Sequence, residues 1–208
     1  ADIVVIANAN NAMHLLQSQH ISTQPVRGQV TLLAACADSR ALNTILCSDG
    51  YFSPAMDGVH SLGATFDAGQ SDLSIREADH QKNLSALNTL SSALCQDLAS
   101  RIQSGRASLR CVSTDYFPIV GKLIDADLLR QSPPHPNADI NSLPWLDGLY
   151  INTGHGSKGF TSAPWCAELL AQRICGETSS NDNALLGAMN PNRFLLKRLG
   201  LKRLAKMA

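Results

Sequence analysis

The stretch Tyr150-Ile-Asn-Thr-Gly-His-Gly-Ser-Lys-Gly-Phe-Thr-Ser-Ala-Pro-Trp-Cys-Ala-Glu-Leu-Leu-Ala-Gln-Arg-Ile-Cys-Gly176 constrains this chain more than any other. A short apolar strand is expected to end at Thr153. Gly154, Gly156 and Gly159 then let the backbone turn sharply and approach a ligand with no Cβ in the way. Thr161 or Ser162 is placed to cap a helix whose first turn accommodates Pro164. Ala167, Leu170, Ala171 and Ile174 form an apolar stripe, and Gly176 is its stop signal. Strand, glycine loop and helix start together present backbone N–H groups and the positive end of a helix dipole to an anion or an electron-rich ring. The same pattern also serves as an ordinary strand-to-helix connection.

With 208 residues the chain suits one domain or one and a half. Its formal net charge of zero exerts no global pull toward nucleic acid or membrane. No apolar run approaches the ~20 residues of a membrane helix, and no signal peptide is visible. Cys36, Cys47, Cys95, Cys111, Cys166 and Cys175 show no C-x-x-C spacing, so they read as buried free thiols of a reducing cytosol. His14, His20, His60, His80, His135 and His155 lack the spacing of metal ligands, and no metal site is expected. There is no G-x-S-x-G. Cys111 beside Arg110 is a candidate for a lowered thiol pKa, but reads first as a buried strand cysteine. No side chain stands out as catalytic, which shifts the chemistry to a bound cofactor. Lys158 and His155 are then either solvated loop side chains or a positive environment beside a ring that becomes anionic on reduction.

In chain order, residues 2–7 form an apolar β-run with no lead-in, and Asn8 follows it. It reads as the last, buried parallel strand of an α/β nucleotide-binding unit. No G-x-G-x-x-G precedes it, so the chain is expected to be the C-terminal piece of a longer protein. Residues 11–19 suit a short helix. Gln24-Pro25-Val-Arg-Gly-Gln29 reads as a tight turn into a strand at 30–33. Ser48-Asp-Gly50 is a hairpin signal between 45–47 and 51–52. Residues 59–66 read as another strand with Gly63 marking a bulge or close packing, and this succession suggests an antiparallel sheet. Leucines recur at three and four through 72–102, a helical region that Ser91-Ser92 can break and Gly105 ends. A strand at 109–113 and a loop at 115–121 lead into a further strand. Pro133, Pro134, Pro136 and Pro144 make 125–147 an irregular surface excursion.

Charge is segregated. Six Lys/Arg and no acid fall in residues 193–208, leaving 11 basic against 17 acidic residues before them. Leu195, Leu196, Leu199 and Leu204 allow an amphipathic helix with a basic face there, either a solvated end helix or a phosphate-contacting tail.

Several stretches, in order along nearly the whole chain, resemble one family, the FAD-dependent amine oxidases of the D-amino-acid-oxidase type, which includes glycine and sarcosine oxidases. They are Asp2-Ile-Val-Val-Ile-Ala-Asn8, Pro25-Val-Arg-Gly-Gln29, Leu46-Cys-Ser-Asp-Gly-Tyr-Phe-Ser-Pro54, Leu62-Gly-Ala-Thr-Phe-Asp67, Asp72-Leu-Ser-Ile-Arg-Glu77, Arg110-Cys-Val-Ser-Thr-Asp-Tyr-Phe-Pro-Ile-Val-Gly121, the glycine stretch, and Asn190-Pro-Asn-Arg-Phe-Leu-Leu196. Within that family they are most similar to the tRNA-modifying branch, whose oxidase domain lies C-terminal to a methyltransferase domain.

The resemblance implies an α+β and α/β fold: a mixed, largely antiparallel substrate-domain sheet with covering helices, plus the C-terminal remnant of a Rossmann-like FAD-binding domain. Residues 1–24 would be the last strand and helix of that domain, 25–115 the substrate-side sheet, and 116–208 the return to the cofactor. Asn8, Ala9 and the segment Gly154, His155, Gly156, Ser157, Lys158, Gly159, Phe160 and Thr161 would contact non-covalent FAD. Backbone N–H groups there would stabilise the reduced, anionic ring. Arg110 and Tyr116 would face the substrate. Arg193, Lys197, Arg198, Lys202 and Arg203 would contact tRNA. The implied partners are tRNA and the missing N-terminal part of the same protein, in the cytoplasm. S-adenosylmethionine would serve only the upstream domain. The implied reaction is oxidative removal of the carboxymethyl group from 5-carboxymethylaminomethyl-(2-thio)uridine at the wobble position. A free amino-acid oxidase and an RNA-binding module are the competing readings. With its dinucleotide fingerprint missing, the chain alone is expected to hold FAD poorly.

Overall fold

In the computed structural model, which describes residues 1–177 and 183–207, the first apolar run forms β1 (Val4–Ile6). β2 (Thr23–Ala34), β3 (Leu46–Cys47), β4 (Tyr51–Phe52), β5 (Val59–Gly63) and β6 (Asp67–Ala68) follow. Next come α1 (Glu77–Leu90), α2 (Ser92–Leu98), β7 (Ile102–Ser113), β8 (Ile119–Ile124) and α3 (Ala126–Gln131). β9 (Trp145–Thr153), α4 (Gly159–Cys175), α5 (Asn183–Met189) and α6 (Arg193–Arg198) complete the order. Backbone packing divides the chain into two compact units, Pro25–Leu109, and Ala1–Gln24 together with Arg110–Ala208.

In the 25–109 unit the sheet order is β3-β4-β5-β2-β6, with β7 also on β2. The expected hairpin is present, with Leu46 opposite Phe52 and Cys47 opposite Tyr51. Leu33, Phe52 and Leu62 from the sheet meet Leu84, Leu87 and Leu98 from α1 and α2 in one buried cluster. Each of these side chains contributes roughly 1.5–3 kcal/mol by leaving water. Ser91 does break the helical region: its hydroxyl accepts from the Leu94 N–H and caps α2.

Two readings of this unit are corrected. Residues 24–29 are not a turn but the first half of β2, in spite of Pro25 and Gly28. Long-range bonds hold them extended: Val26 and Arg27 pair with Ala68 and Asp67, and the Arg27 side chain is locked to residues 72–79. Tertiary partners outweigh local turn propensity there. Gly105 does not end a region but lies inside β7, where a Cβ would meet His80 Cε1 at 2.8 Å and the Val30 carbonyl oxygen at 2.9 Å. Its small size admits the buried side chains of Thr31 and His80, which hydrogen-bond at 2.8 Å.

In the other unit a three-stranded sheet runs β1-β9-β8. β1 lies parallel to β9, with Ile6 level with Ile151, and β8 is antiparallel to β9. Both sheet faces are covered. Ile6, Ile119, Leu123 and Ile151 pack with Ala12 and Ile21, while Val120 packs with Cys166, Leu169 and Leu170 of α4 and Met189 of α5. A third cluster joins Ile124, Leu129 and Leu143 to Leu195, Leu196, Leu201 and Leu204.

Several expectations fail here for identifiable reasons. Within this chain β1 is paired on one side only, which leaves Val4 and Val5 46 and 42% exposed and Ile6 buried. Residues 11–19 form short 3₁₀ turns, Ala9–His14 and Leu16–Ser18, rather than an α-helix. The excursion at 125–147 contains α3, capped by the Asp125 carboxylate, which accepts from the N–H groups of Asp127 and Leu128. Gly200, at φ +78°, ends the last amphipathic segment after α6, and a 3₁₀ turn at Leu204–Lys206 follows. Cys47 and Cys175 are exposed, not buried. Among the described residues no helix is long and apolar enough to cross a membrane.

Candidate functional site

The register of β1 on β9 positions the site. Because Ile6 is level with Ile151, Asn8 leaves the carboxyl end of one parallel strand at the height at which Thr153 and Gly154 leave the other. Ligands of α/β sheets sit at this kind of edge. Asn8 and Ala9 are both exposed there, and Ala9 holds φ at +53°, a left-handed conformation that costs a non-glycine residue energy.

On the neighbouring strand Gly154 and Gly156 take φ of +74° and +58°, which reverses the chain into a 3₁₀ turn at Gly156–Lys158 and then into α4. A Cβ on Gly154 would stand 3.2 Å from the buried Ile119 side chain. Gly154→Ala is therefore expected to cost about 1–2 kcal/mol in urea melts from left-handed strain plus this contact. Gly176 sits at φ +72° with nothing within 4 Å of its Cβ position, so Gly176→Ala, with no clash to relieve, should cost less.

α4 starts at Gly159, three or four residues earlier than Thr161 or Ser162 as cap would require, and Lys158 at its N-cap makes no side-chain cap hydrogen bond. The first turn of α4 therefore lacks a side-chain cap, and the exposed Ser157, Lys158 and Thr161 and the fully exposed Phe160 ring lie along it. The buried face of the helix is Cys166, Leu169 and Leu170, with Ala167 and Ala171 exposed, so the expected stripe is rotated by about one residue. Helical periodicity gives the width of a face; the sheet it docks on chooses its direction.

His155 does not supply positive charge. Burial pushes its pKa below the ordinary histidine value, and both ring nitrogens are engaged, Nδ1 with Ser162 Oγ at 3.0 Å and Nε2 with Asn152 Oδ1 at 2.9 Å. Lys158 is the cationic side chain of the loop. The backbone of His155 also bridges to Val112 on β7, and Cys111 Sγ lies 3.6 Å from Thr153 Oγ1. Residues 110–113 thus run beside the loop: Arg110 is half-buried on β7, and Tyr116 is 72% exposed in the turn after it, at φ +63°. Asn152 and Val112 are the contributors that the sequence reading missed, and Ser162, expected as a helix cap, is instead a partner of His155. Polar residues three before and seven after His155 were the available signal.

The assigned tRNA contacts divide. Arg193 is fully buried, and its guanidinium grips the Asp115 carboxylate through Nη2 at 2.6 Å and Nε at 2.9 Å. It cannot reach a phosphate; it closes the loop at 115–118 onto the start of α6 by further donating to the Phe117 and Pro118 carbonyls. Burial alone would raise the Asp115 pKa, but the hydrogen bonds and charge of Arg193 hold it below the usual carboxylate range. Arg203 donates to the carbonyls of Pro136 and Ala138 and so fastens the 125–147 excursion. Lys197, Arg198 and Lys202 are exposed on one segment.

The donor set suits one edge of a flavin: a helix start without a side-chain cap, one lysine, an aromatic ring and two strand ends. Among the described residues no glycine-rich phosphate loop of the dinucleotide type is present, so the rest of such a cofactor would need residues outside this chain.

The chain is 48% identical over 207 residues to the tRNA 5-methylaminomethyl-2-thiouridine biosynthesis bifunctional protein MnmC of Methylobacillus flagellatus, covering 99% of this chain and 32% of that protein. It is 40% identical over 210 residues to the MnmC of Pseudomonas putida F1, covering 96% and 32%. The chain thus spans about a third of the length of these curated relatives. Among solved structures, glycine oxidase from Geobacillus kaustophilus superposes with a TM-score of 0.68 at 20% identity, over 92% of this chain and 45% of that one. L-proline dehydrogenase from P. horikoshii gives 0.69 at 19%, over 94% and 47%. The fold is therefore that of FAD-dependent oxidases, a mixed α/β arrangement with an antiparallel sheet. The profile of the FAD dependent oxidoreductase family matches residues 1–173, and the chain belongs to that family.

Proposed function

We propose that this chain is the substrate-side and ring-facing part of a bifunctional tRNA-modifying enzyme. Its reaction converts 5-carboxymethylaminomethyl-(2-thio)uridine at the wobble position to 5-aminomethyl-(2-thio)uridine. The observation that carries this reading is the 48% identity to an MnmC over 207 residues. The C–N bond of the substrate amine is oxidised to an imine, water adds, glyoxylate leaves and the primary amine stays on the uridine. FAD, when bound, would supply the two-electron acceptor, with O₂ as the final oxidant reduced to hydrogen peroxide.

The residues of this chain then have separate tasks. Asn8, Ala9 and the Gly154–Thr161 backbone hold the ring edge, and the helix-start N–H groups with Lys158 favour negative charge developing there. Gly154 and Gly156 keep side chains out of the approach. Arg110 and Tyr116 line the substrate side, where a guanidinium suits the carboxylate of the carboxymethyl group. Lys197, Arg198 and Lys202 contact tRNA phosphates. Residues 1–24 and 116–208 belong to the cofactor-binding domain and 25–115 to the substrate domain. The rest of the FAD site and an S-adenosylmethionine-dependent methyltransferase domain come from other parts of the same cytoplasmic protein.

The test uses the full-length protein, without S-adenosylmethionine, and tRNA carrying 5-carboxymethylaminomethyl-(2-thio)uridine in air, followed by nucleoside mass spectrometry and a glyoxylate assay. The expected result is one glyoxylate per 5-aminomethyl nucleoside formed. Turnover of free glycine or sarcosine with tRNA untouched would overturn the reading in favour of a free amino-acid oxidase. In the same assay, Lys197→Ala with Lys202→Ala should weaken tRNA binding and lower the salt slope by about 2, one for each lost phosphate contact, without altering flavin reduction.

A further inference from the structure

We propose that His155 is a positioning residue for the cofactor-facing segment. Its imidazole ties the carboxyl end of β9 to the first turn of α4 and so sets where the helix-start N–H groups point. The proposal rests on the assignment of this segment to the flavin ring edge.

His155 stands between two glycines at positive φ, Gly154 and Gly156, the most freely rotating pair in the loop. The helix that follows has no side-chain cap of its own. What holds its start is His155. Its carbonyl accepts from the Lys158 N–H at 3.1 Å, and its backbone bridges to Val112. Its ring reaches Asn152 and Ser162, which lie on β9 and in the first turn of α4. The Ser162 hydroxyl meanwhile donates to the Lys158 carbonyl at 2.9 Å, closing a small ring of bonds around the loop.

Burial favours the neutral ring, and hydrogen-bond bookkeeping then assigns its tautomer. Ser162 spends its one proton on Lys158, so its oxygen accepts from the Nδ1–H of His155. A neutral imidazole then offers only a lone pair at Nε2. Asn152 satisfies that lone pair with its NH₂ after a half-turn of its amide, a change that leaves its shape unaltered. Half-burial of the ring favours this neutral form. A neutral clamp leaves the field at the ring edge to the helix start and Lys158, and both are directional only while the loop is fixed. Field strength at a flavin depends on the alignment of such donors, so loosening the clamp should change the flavin without removing any group that touches it.

The experiment uses the full-length flavoprotein with His155→Ala, His155→Gln and Ser162→Ala. Sulfite adds to oxidised flavin and places negative charge on the ring, so its dissociation constant reads the local field. His155→Ala is expected to weaken sulfite binding about tenfold, the worth of one or two aligned hydrogen bonds, with flavin still bound. Ser162→Ala should weaken it by a smaller factor, and His155→Gln, which keeps an amide donor and acceptor near the same partners, should restore part of the loss. If His155→Ala does not give a folded flavoprotein, Ser162→Ala carries the comparison. A fall in melting temperature with sulfite affinity unchanged would overturn the proposal and leave His155 a structural residue only. Gly154→Ala separates the two levels of the argument: if it too leaves sulfite affinity unchanged, the assignment of the segment to the flavin fails and this proposal falls with it.

Discussion

Arg27→Ala is expected to remove about 3–5 kcal/mol of stability from the 25–109 unit, the usual consequence of breaking a buried charge pair from one side. Arg27 has no exposed surface, yet every arm of its guanidinium is used. Nη1 meets the Asp79 carboxylate at 2.5 Å, Nε donates to the Asp72 carbonyl at 2.6 Å, and Nη2 donates to the Ser74 carbonyl at 2.6 Å and to Gln29 Oε1 at 3.0 Å. Truncation leaves Asp79, itself buried, with only Lys82 at 3.2 Å, and strands two carbonyls without donors. Hydrogen exchange on the full-length protein should show amides of residues 25–109 exchanging about 10²–10³-fold faster, with the rest of the chain little changed. The paired variant Arg27→Met, Asp79→Leu should cost less than Arg27→Ala, since it leaves no unpaired charge. A single variant within about 0.5 kcal/mol of the parent would contradict this account.

The same site fixes a pH dependence. Burial alone would raise the Asp79 pKa, but hydrogen bonds from Arg27 and Lys82 and their charges outweigh it and hold the folded value below the ordinary one. A carboxylate depressed on folding stabilises fully above its unfolded pKa, about 3.9, and that contribution is lost as pH falls through the lower folded value. The 25–109 unit should therefore begin to lose this stability below about pH 4, and Arg27→Ala should flatten the profile there.

The second large effect is at Asp115 and Arg193. Asp115→Ala leaves a buried guanidinium that cannot lose its proton, and is expected to cost about 3–5 kcal/mol. Arg193→Ala should cost nearly as much, because the Asp115 carboxylate loses its buried partner and the Pro118 carbonyl its donor, while the Phe117 and Asn190 carbonyls keep only Ser113 Oγ and the residue-193 N–H. Arg193→Lys should not rescue, since an ammonium cannot reproduce the two-point grip on Asp115 or the guanidinium 4.4 Å over the Phe194 ring. Exchange rates across 115–124 and 190–207 measure this. At temperatures where it remains folded, Arg193→Ala should bind tRNA with unchanged salt slope, whereas Lys197→Ala lowers it. An equal loss of slope in both would return Arg193 to the RNA surface.

Motifs carried by backbone conformation were legible in the chain. The strand ending at Thr153, the helix stop at Gly176, the hairpin around Ser48-Asp-Gly50 and the helix break at Ser91 each follow from one or two residues with narrow φ/ψ or capping preferences. Elements decided by distant partners were not. Pro25 to Gly28 look like a turn until Arg27 finds Asp79, 52 residues away. Gly105 looks like a terminator until His80 packs over it.

The candidate site divides along the same line. The amino-acid sequence by itself determined the family, the glycine loop, the helix after it and the strand before it, because these rest on local backbone freedom and on stretches read in order. Tertiary structure alone decided the charges and neighbours. It buried Arg193 as a strut rather than leaving it on the basic face, and it made His155 a neutral clamp rather than a cation. The parallel register of β1 on β9 brought Asn8 level with Thr153, just before Gly154, across more than half the chain. The physical reason is that desolvation and pairing are properties of the folded surroundings: a side chain's ionisation and reach depend on which distant groups exclude its water and answer its hydrogen bonds.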